Sequence, residues 1–159
     1  MLLEEQLGEE LRDRKLTLAV AESCTGGLLG SRITDVAGSS EYFLGGVIAY
    51  QNEVKEALLH VPHRVITDHG AVSPETAEAM ASGCRDLFKC DIAVSITGIA
   101  GPGGGTVEKP VGLTYIGLAT SRGVISRRFR WEGSRTQNKE SSVRAAMELT
   151  LSQIAHDFF

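Results

Sequence analysis

Apolar and polar positions change period several times along this 159-residue chain. Leu3, Leu7 and Leu11 step by four among charged residues, which predicts an amphipathic helix over 4–15. The apolar run 16–20 reads as a buried strand, and the apolar-periodic run from 28 to 36 as a helix ending near Gly38. Residues 42–50 form a second strand pattern broken by Gly45-Gly46, which suggests a bulge. A helix over 52–60 is stopped by Pro62. Ser73-Pro74-Glu75 opens the next helix with an N-cap, a proline in the first position and an acid in the first turn. Its apolar residues Ala77, Met80, Ala81 and Leu87 are expected to face a sheet. Residues 91–97 read as a strand feeding a glycine loop over 98–105. The segments 111–119 and 124–131 read as a hairpin around Ser121-Arg122-Gly123, and 138–158 as a final helix. This alternation predicts an α/β protein, a three-layer α/β/α sandwich with a mixed sheet, in one domain over 1–159 without linker or repeat.

Composition sharpens that picture by exclusion. An apolar share of 42% is enough to build a core. The net charge of −4 leaves no basic stripe to replace counterions on phosphates, so general nucleic-acid binding is not expected. The local run Arg127-Arg128-Phe129-Arg130 reads as a solvated edge or a phosphate contact. No apolar stretch approaches the roughly 20 residues needed to span a membrane. The acidic, amphipathic N-terminus is unlike a signal peptide, so a cytoplasmic location is expected. Three cysteines and four scattered histidines fall at no metal spacing, and no metal site is expected. Cys84 and Cys90 read as core or edge thiols. The eighteen glycines gather at 26–27, 45–46 and 98–105, as happens at tight turns or where backbone approaches a ligand.

The candidate chemistry lies at three predicted strand ends, where open α/β sheets bind ligands. The first is Ala21-Glu22-Ser23-Cys24-Thr25-Gly26-Gly27, a strand-to-helix turn. Ser23 fits a nucleophile there, and it fits an ordinary helix N-cap equally well. Cys24 is an alternative nucleophile, with no histidine placed locally to activate it. The second is Tyr50-Gln51-Asn52-Glu53-Val54-Lys55. The third is Thr97-Gly98-Ile99-Ala100-Gly101-Pro102. A serine hydroxyl needs a base to attack an acyl group. A lysine serves when burial or a neighbouring cation lowers its pKa. Tyr50 can relay the proton or hold the lysine, and the glycine loop can donate N–H groups to an oxyanion. Against this, Lys55 also reads as a solvated helix lysine and Tyr50 as a strand residue packing its ring. Tyr-x4-Lys is not the Tyr-x3-Lys of short-chain dehydrogenases. There is no Gly-x-Gly-x-x-Gly fingerprint, and the 101–106 loop lacks the Lys-Ser/Thr of a Walker A motif.

Five ordered blocks carry a family likeness: 21–27, Ile33-Thr-Asp-Val-Ala-Gly-Ser-Ser40, Tyr50-x-Asn52-x-x-Lys55, His69-Gly-Ala-Val-Ser73, and Thr97 to Pro102 running on to Lys109-Pro-Val-Gly112. From about Glu4 to the C-terminal helix, the chain resembles the C-terminal domain family of the competence/damage-inducible protein CinA. Stand-alone members of that family include nicotinamide mononucleotide deamidases. The resemblance therefore implies a cofactor-free, metal-free amidohydrolase that converts nicotinamide mononucleotide to nicotinate mononucleotide and ammonia, recycling pyridine nucleotides. It makes Ser23 the nucleophile and Lys55 with Tyr50 the proton-handling pair. Thr97 with the loop Gly98, Ile99, Ala100 and Gly101 would meet the oxyanion or the pyridine ring. The turn residues Cys24, Thr25, Gly26 and Gly27, together with Asn52, complete the expected substrate-binding set. The glycines and the following helix are phosphate or oxyanion donors on physical grounds.

There are departures from the family pattern. Many relatives carry Gly-Asp-Arg where this chain has Gly133-Ser134-Arg135, and arginine where Lys139 stands. Arg135 still suits a phosphate contact, while Lys139 would act as a point charge. Full-length CinA carries an N-terminal domain that this chain lacks, so activity resident there is expected to be absent. Two other readings stand beside the deamidase. One is an amidase for a related small substrate; the other is a catalytically silent nucleotide-binding or assembly module. A homodimer is expected.

Overall fold

The computed structural model describes residues 1–157. Its centre is a five-stranded mixed sheet in the order β2-β1-β3-β4-β5. The strands are β1 (Leu18–Glu22), β2 (Phe43–Ile48), β3 (Ile92–Gly98), β4 (Leu113–Thr120) and β5 (Gly123–Arg130). β2, β1 and β3 run parallel, whereas β4 and β5 are antiparallel additions. The helices are α1 (Leu3–Arg14), α2 (Leu28–Thr34), α3 (Asn52–Leu59), α4 (His63–His69), α5 (Pro74–Phe88) and α6 (Arg135–Asp157). α1, α2 and α6 cover one face and α3, α4 and α5 the other, giving three α/β/α layers.

Burial on both faces explains why the central parallel strands β1 and β3 read as continuous apolar runs. Alternate residues of β1 and β3 serve different layers. Leu18, Val20, Ile92, Val94 and Ile96 point to the α1/α2/α6 side, and Ala19, Ala21 and Ala93 to the α5 side. The second set is small, so α5 lies close on the sheet. Ser95 Oγ donates to the Ala77 carbonyl at 2.6 Å, and a Cβ on Gly117 would stand 2.4 Å from that same oxygen.

Several boundaries move for local reasons. α1 ends in a left-handed Lys15 (φ 57°), which spends residues 15–17 on the exit, so β1 begins at Leu18 and runs to Glu22. His60 (φ 54°) ends α3 in the same way. α4 has no predicted counterpart; Pro62, a stop signal for α3, also sets its start, and its seven residues bury no side chain fully. The register shift opposite Leu18/Ala19 makes Leu44 the extra residue beside Gly45. Ser73 caps α5 as expected, its Oγ accepting from Thr76 N–H at 3.1 Å. Ala77, Met80 and Ala81 are buried, but Leu87 is 48% exposed because it falls in the last turn, past the sheet. α6 begins at Arg135, earlier than periodicity indicated; the predicted end at Phe158 lies outside the described residues. The arginine-rich β5 is a solvated edge strand.

The arrangement brings the carboxyl ends of β1, β2 and β3 to one edge, since Glu22 pairs with both Ile48 and Ile96.

Candidate active site

β1 delivers Ser23 directly to that edge. The Ser23 N–H donates to Ile96 O at 2.9 Å, which pins the residue to β3. α3, following β2, supplies Lys55, which is only 1% exposed. Its Nζ donates to Ser23 Oγ at 2.9 Å and to the Tyr50 carbonyl at 3.2 Å. Both acceptors are neutral. Burial therefore lowers the Lys55 pKa, and the nearby Cys24 and Glu53 only partly oppose it. A lysine in this state can take the serine proton.

Ser23 is not a helix cap. α2 begins after Gly27, whose left-handed conformation (φ 105°) suits glycine. The helix amides that a cap would satisfy are taken by Glu22, which is 2% exposed. Its carboxylate accepts from Leu29 N–H at 2.8 Å, Gly30 N–H at 3.0 Å and Thr25 Oγ1 at 2.6 Å. The serine hydroxyl is thereby left to Lys55. Within the turn, Gly26 N–H donates to Ser23 O at 3.1 Å. Burial pushes the Cys24 thiol up to about 11, so it stays protonated near neutral pH and is a poor rival nucleophile.

A cleft of ≈ 260 Å³ opens over Ser23 and Lys55. Cys24, Tyr50, Asn52, Thr97, Gly98, Ile99, Ala100, Gly101 and Arg135 also line it. Thr25, Gly26, Gly27 and Lys139 do not. The Lys139 ammonium stands over Gly26, 3.9 Å from where a Cβ would be. Tyr50 meets Lys55 through its carbonyl; its phenol, 58% exposed with its residue, accepts from Arg135 Nη2 at 3.1 Å on the rim. Thr97 Oγ1 donates to Ala71 O at 2.7 Å, tying β3 to the α4–α5 connection, whose Ala71 and Val72 close the far wall.

Among the described residues no three His, Cys, Asp or Glu side chains gather as metal ligands, and no helix is long and apolar enough to cross a membrane.

Residues 2–154 match the profile of the CinA C-terminal domain. The chain belongs to the CinA C-terminal domain family. A CinA-like protein of Desulfotalea psychrophila is 50% identical over 151 residues, covering 95% of this chain and 37% of that protein. The chain thus spans little more than a third of the length of such curated relatives. Among solved structures, the competence/damage inducible protein CihA from Agrobacterium tumefaciens superposes with TM-score 0.92 at 38% identity, over 94% of this chain and 92% of its own. A CinA superfamily protein from Klebsiella pneumoniae gives 0.94 at 30% identity, over 97% and 96%.

Two residues of this CinA-family site escaped sequence reasoning. Glu22 stood inside the first motif without a role; its signal was a lone acid ending an apolar strand. In sequence, Asn138 reads only as a helix start. It is 3% exposed and joins α6 to the glycine loop.

Proposed function

We propose that this chain is a metal-free Ser–Lys amidohydrolase acting on nicotinamide mononucleotide, releasing nicotinate mononucleotide and ammonia. The observation that carries the reading is the buried Lys55 amine, paired with Ser23 Oγ at 2.9 Å and, among the described residues, with no hydrogen-bonded carboxylate. The family resemblance supplies the pyridine nucleotide; the chemistry follows from the pair.

In the first half-reaction, neutral Lys55 takes the hydroxyl proton as Ser23 Oγ attacks the carboxamide carbon. Backbone N–H groups beside Ser23 and in the glycine loop would receive the developing oxyanion. Protonated Lys55 then gives its proton to the leaving nitrogen, and the C–N bond breaks to leave an ester on Ser23. In the second half, Lys55 draws a proton from water, the water oxygen attacks the ester, and Ser23 leaves with the proton returned. Arg135 on the rim and Lys139 above Gly26 are cations suited to the substrate phosphate.

The test is ammonia release from nicotinamide mononucleotide by the wild type beside Ser23→Ala. Turnover in the wild type that disappears in the variant is the expected result. Binding without turnover in the wild type would favour a silent nucleotide-binding module, and turnover by Ser23→Ala would move the nucleophile elsewhere.

A further inference from the structure

Asn138 is buried on α6 and engaged at both ends of its side-chain amide. Its Oδ1 accepts from Gly133 N–H at 2.9 Å, and its Nδ2 donates to the Ala100 carbonyl at 3.0 Å. One turn earlier, Arg135 Nη1 donates to the next loop carbonyl, that of Gly101, at 2.8 Å. Two successive carbonyls of the loop after β3 are thus drawn toward the start of α6.

In a planar trans peptide the C=O and N–H point in opposite directions. The Ala100–Gly101 peptide is trans, so with its oxygen on Asn138 its N–H, that of Gly101, points away from α6. That N–H donates to no protein acceptor among the described residues. The following nitrogen belongs to Pro102 and can donate nothing. Ala100 and Gly101 both line the cleft with Ser23 and Lys55. The position admits only glycine: φ is 88°, and a Cβ would stand 2.5 Å from Val111 Cγ1.

We infer that Asn138 is a positioning residue that turns the Gly101 N–H into the cleft, to donate to the oxygen of the acyl group under attack by Ser23. The inference rests on the Ser–Lys reading above. It makes the site selective for compounds with an acyl or sulfonyl oxygen that gains charge on attack.

Asn138→Asp tests this. The aspartate keeps an acceptor for Gly133 N–H but sets a second oxygen against Ala100 O, so the peptide must turn. Two rates are compared with the wild type: hydrolysis of nicotinamide mononucleotide, and labelling of Ser23 by phenylmethanesulfonyl fluoride. In the labelling step the serine oxygen bonds to sulfur, fluoride leaves, and the hydroxyl proton passes to Lys55. Misdirecting one oxyanion donor should lower kcat and the labelling rate by about 10²-fold with KM little changed. Asn138→Ala, which loses the anchor without the repulsion, should show a smaller loss of the same sign, guarding against a folding defect in the aspartate variant. Wild-type rates in both variants, whatever their melting temperatures, would overturn the inference. A wild type that is labelled at Ser23 but leaves the nucleotide intact would fail the substrate reading alone, and labelling would still decide on Asn138. If the wild type hydrolyses the nucleotide but resists the reagent, kcat decides. If it does neither, the Ser–Lys reading and this inference fall together.

Discussion

Glu22 and Lys55 are both buried ionisable side chains beside Ser23, one its neighbour in the chain and the other hydrogen-bonded to its hydroxyl from α3, yet their surroundings differ in kind. Glu22 receives three hydrogen bonds, two of them from the first-turn amides of α2. Its charge also meets the positive end of that helix. Among the described residues Lys55 has only two hydrogen-bond partners, both neutral oxygens, and burial lowers its pKa. A buried charge that is fully compensated holds structure together; one that is poorly compensated is ready to give up its proton. The two residues divide the labour of the turn, since Glu22 takes over the capping task and leaves Ser23 free for Lys55.

The sharpest way to break this contrast is to remove each charge. Ser23→Ala and Lys55→Met should each lower kcat by at least about 10³-fold, and the double variant little further, because the pair acts as a unit. Lys55→Met should leave the urea midpoint unchanged or raised, since a poorly compensated buried ammonium is replaced by an apolar chain of similar length. Independent, multiplying losses in the double variant would mean that Lys55 does not serve Ser23.

The pH profile tests the same point. Lys55 must be neutral to accept the proton, so kcat/KM should rise with pH through an apparent pKa below the ordinary lysine value of about 10.4. The linkage sign agrees. With the folded pKa depressed, the unfolded chain holds more protons between the two values, so stability should rise with pH across that window. Below the folded pKa the burial penalty is present in full. A rate profile that falls with pH over this range would require a protonated Lys55 in the slow step.

Glu22→Ala should act mainly on stability. It strands the N–H groups of Leu29 and Gly30 in a buried place, at a cost of about 1–3 kcal/mol each at most. Urea unfolding should show a fall of about 2 kcal/mol, and Glu22→Gln, which keeps acceptor capacity, a smaller one. An unchanged midpoint in Glu22→Ala would remove its capping role.

What the sequence disclosed follows the same division. Strands buried on both faces and capped helices were legible because apolar runs, Pro74 and Ser73 are local signals. The convergence of Ser23, Lys55 and the 97–101 loop was legible once strand ends were taken to share an edge. The roles of Glu22, Asn138 and the Tyr50 carbonyl were not, because each rests on hydrogen bonds made by groups that look ordinary in sequence, and the bond from Asn138 to Ala100 also joins distant parts of the chain. The phenol of Tyr50 drew attention, yet it is the backbone oxygen that meets Lys55. α4 stayed hidden because a short helix with few apolar residues is defined by its neighbours rather than its own pattern.

Cys24→Ala is expected to have the smallest effect, and it sharpens the contrast from the other side. The thiol lines the cleft beside Ser23, so proximity alone would give it a role. Burial pushes it up to about 11, which keeps the thiolate scarce at pH 7. Removing it deletes no hydrogen bond on which Ser23 or Lys55 depends, and trims one side of the cleft slightly. Turnover should stay within about threefold of wild type, well under the tenfold that 1.4 kcal/mol of transition-state stabilisation represents. The thiol is uncharged over the acid limb of the rate profile, so its removal should leave that limb in place. A large loss of turnover would place the nucleophile at Cys24.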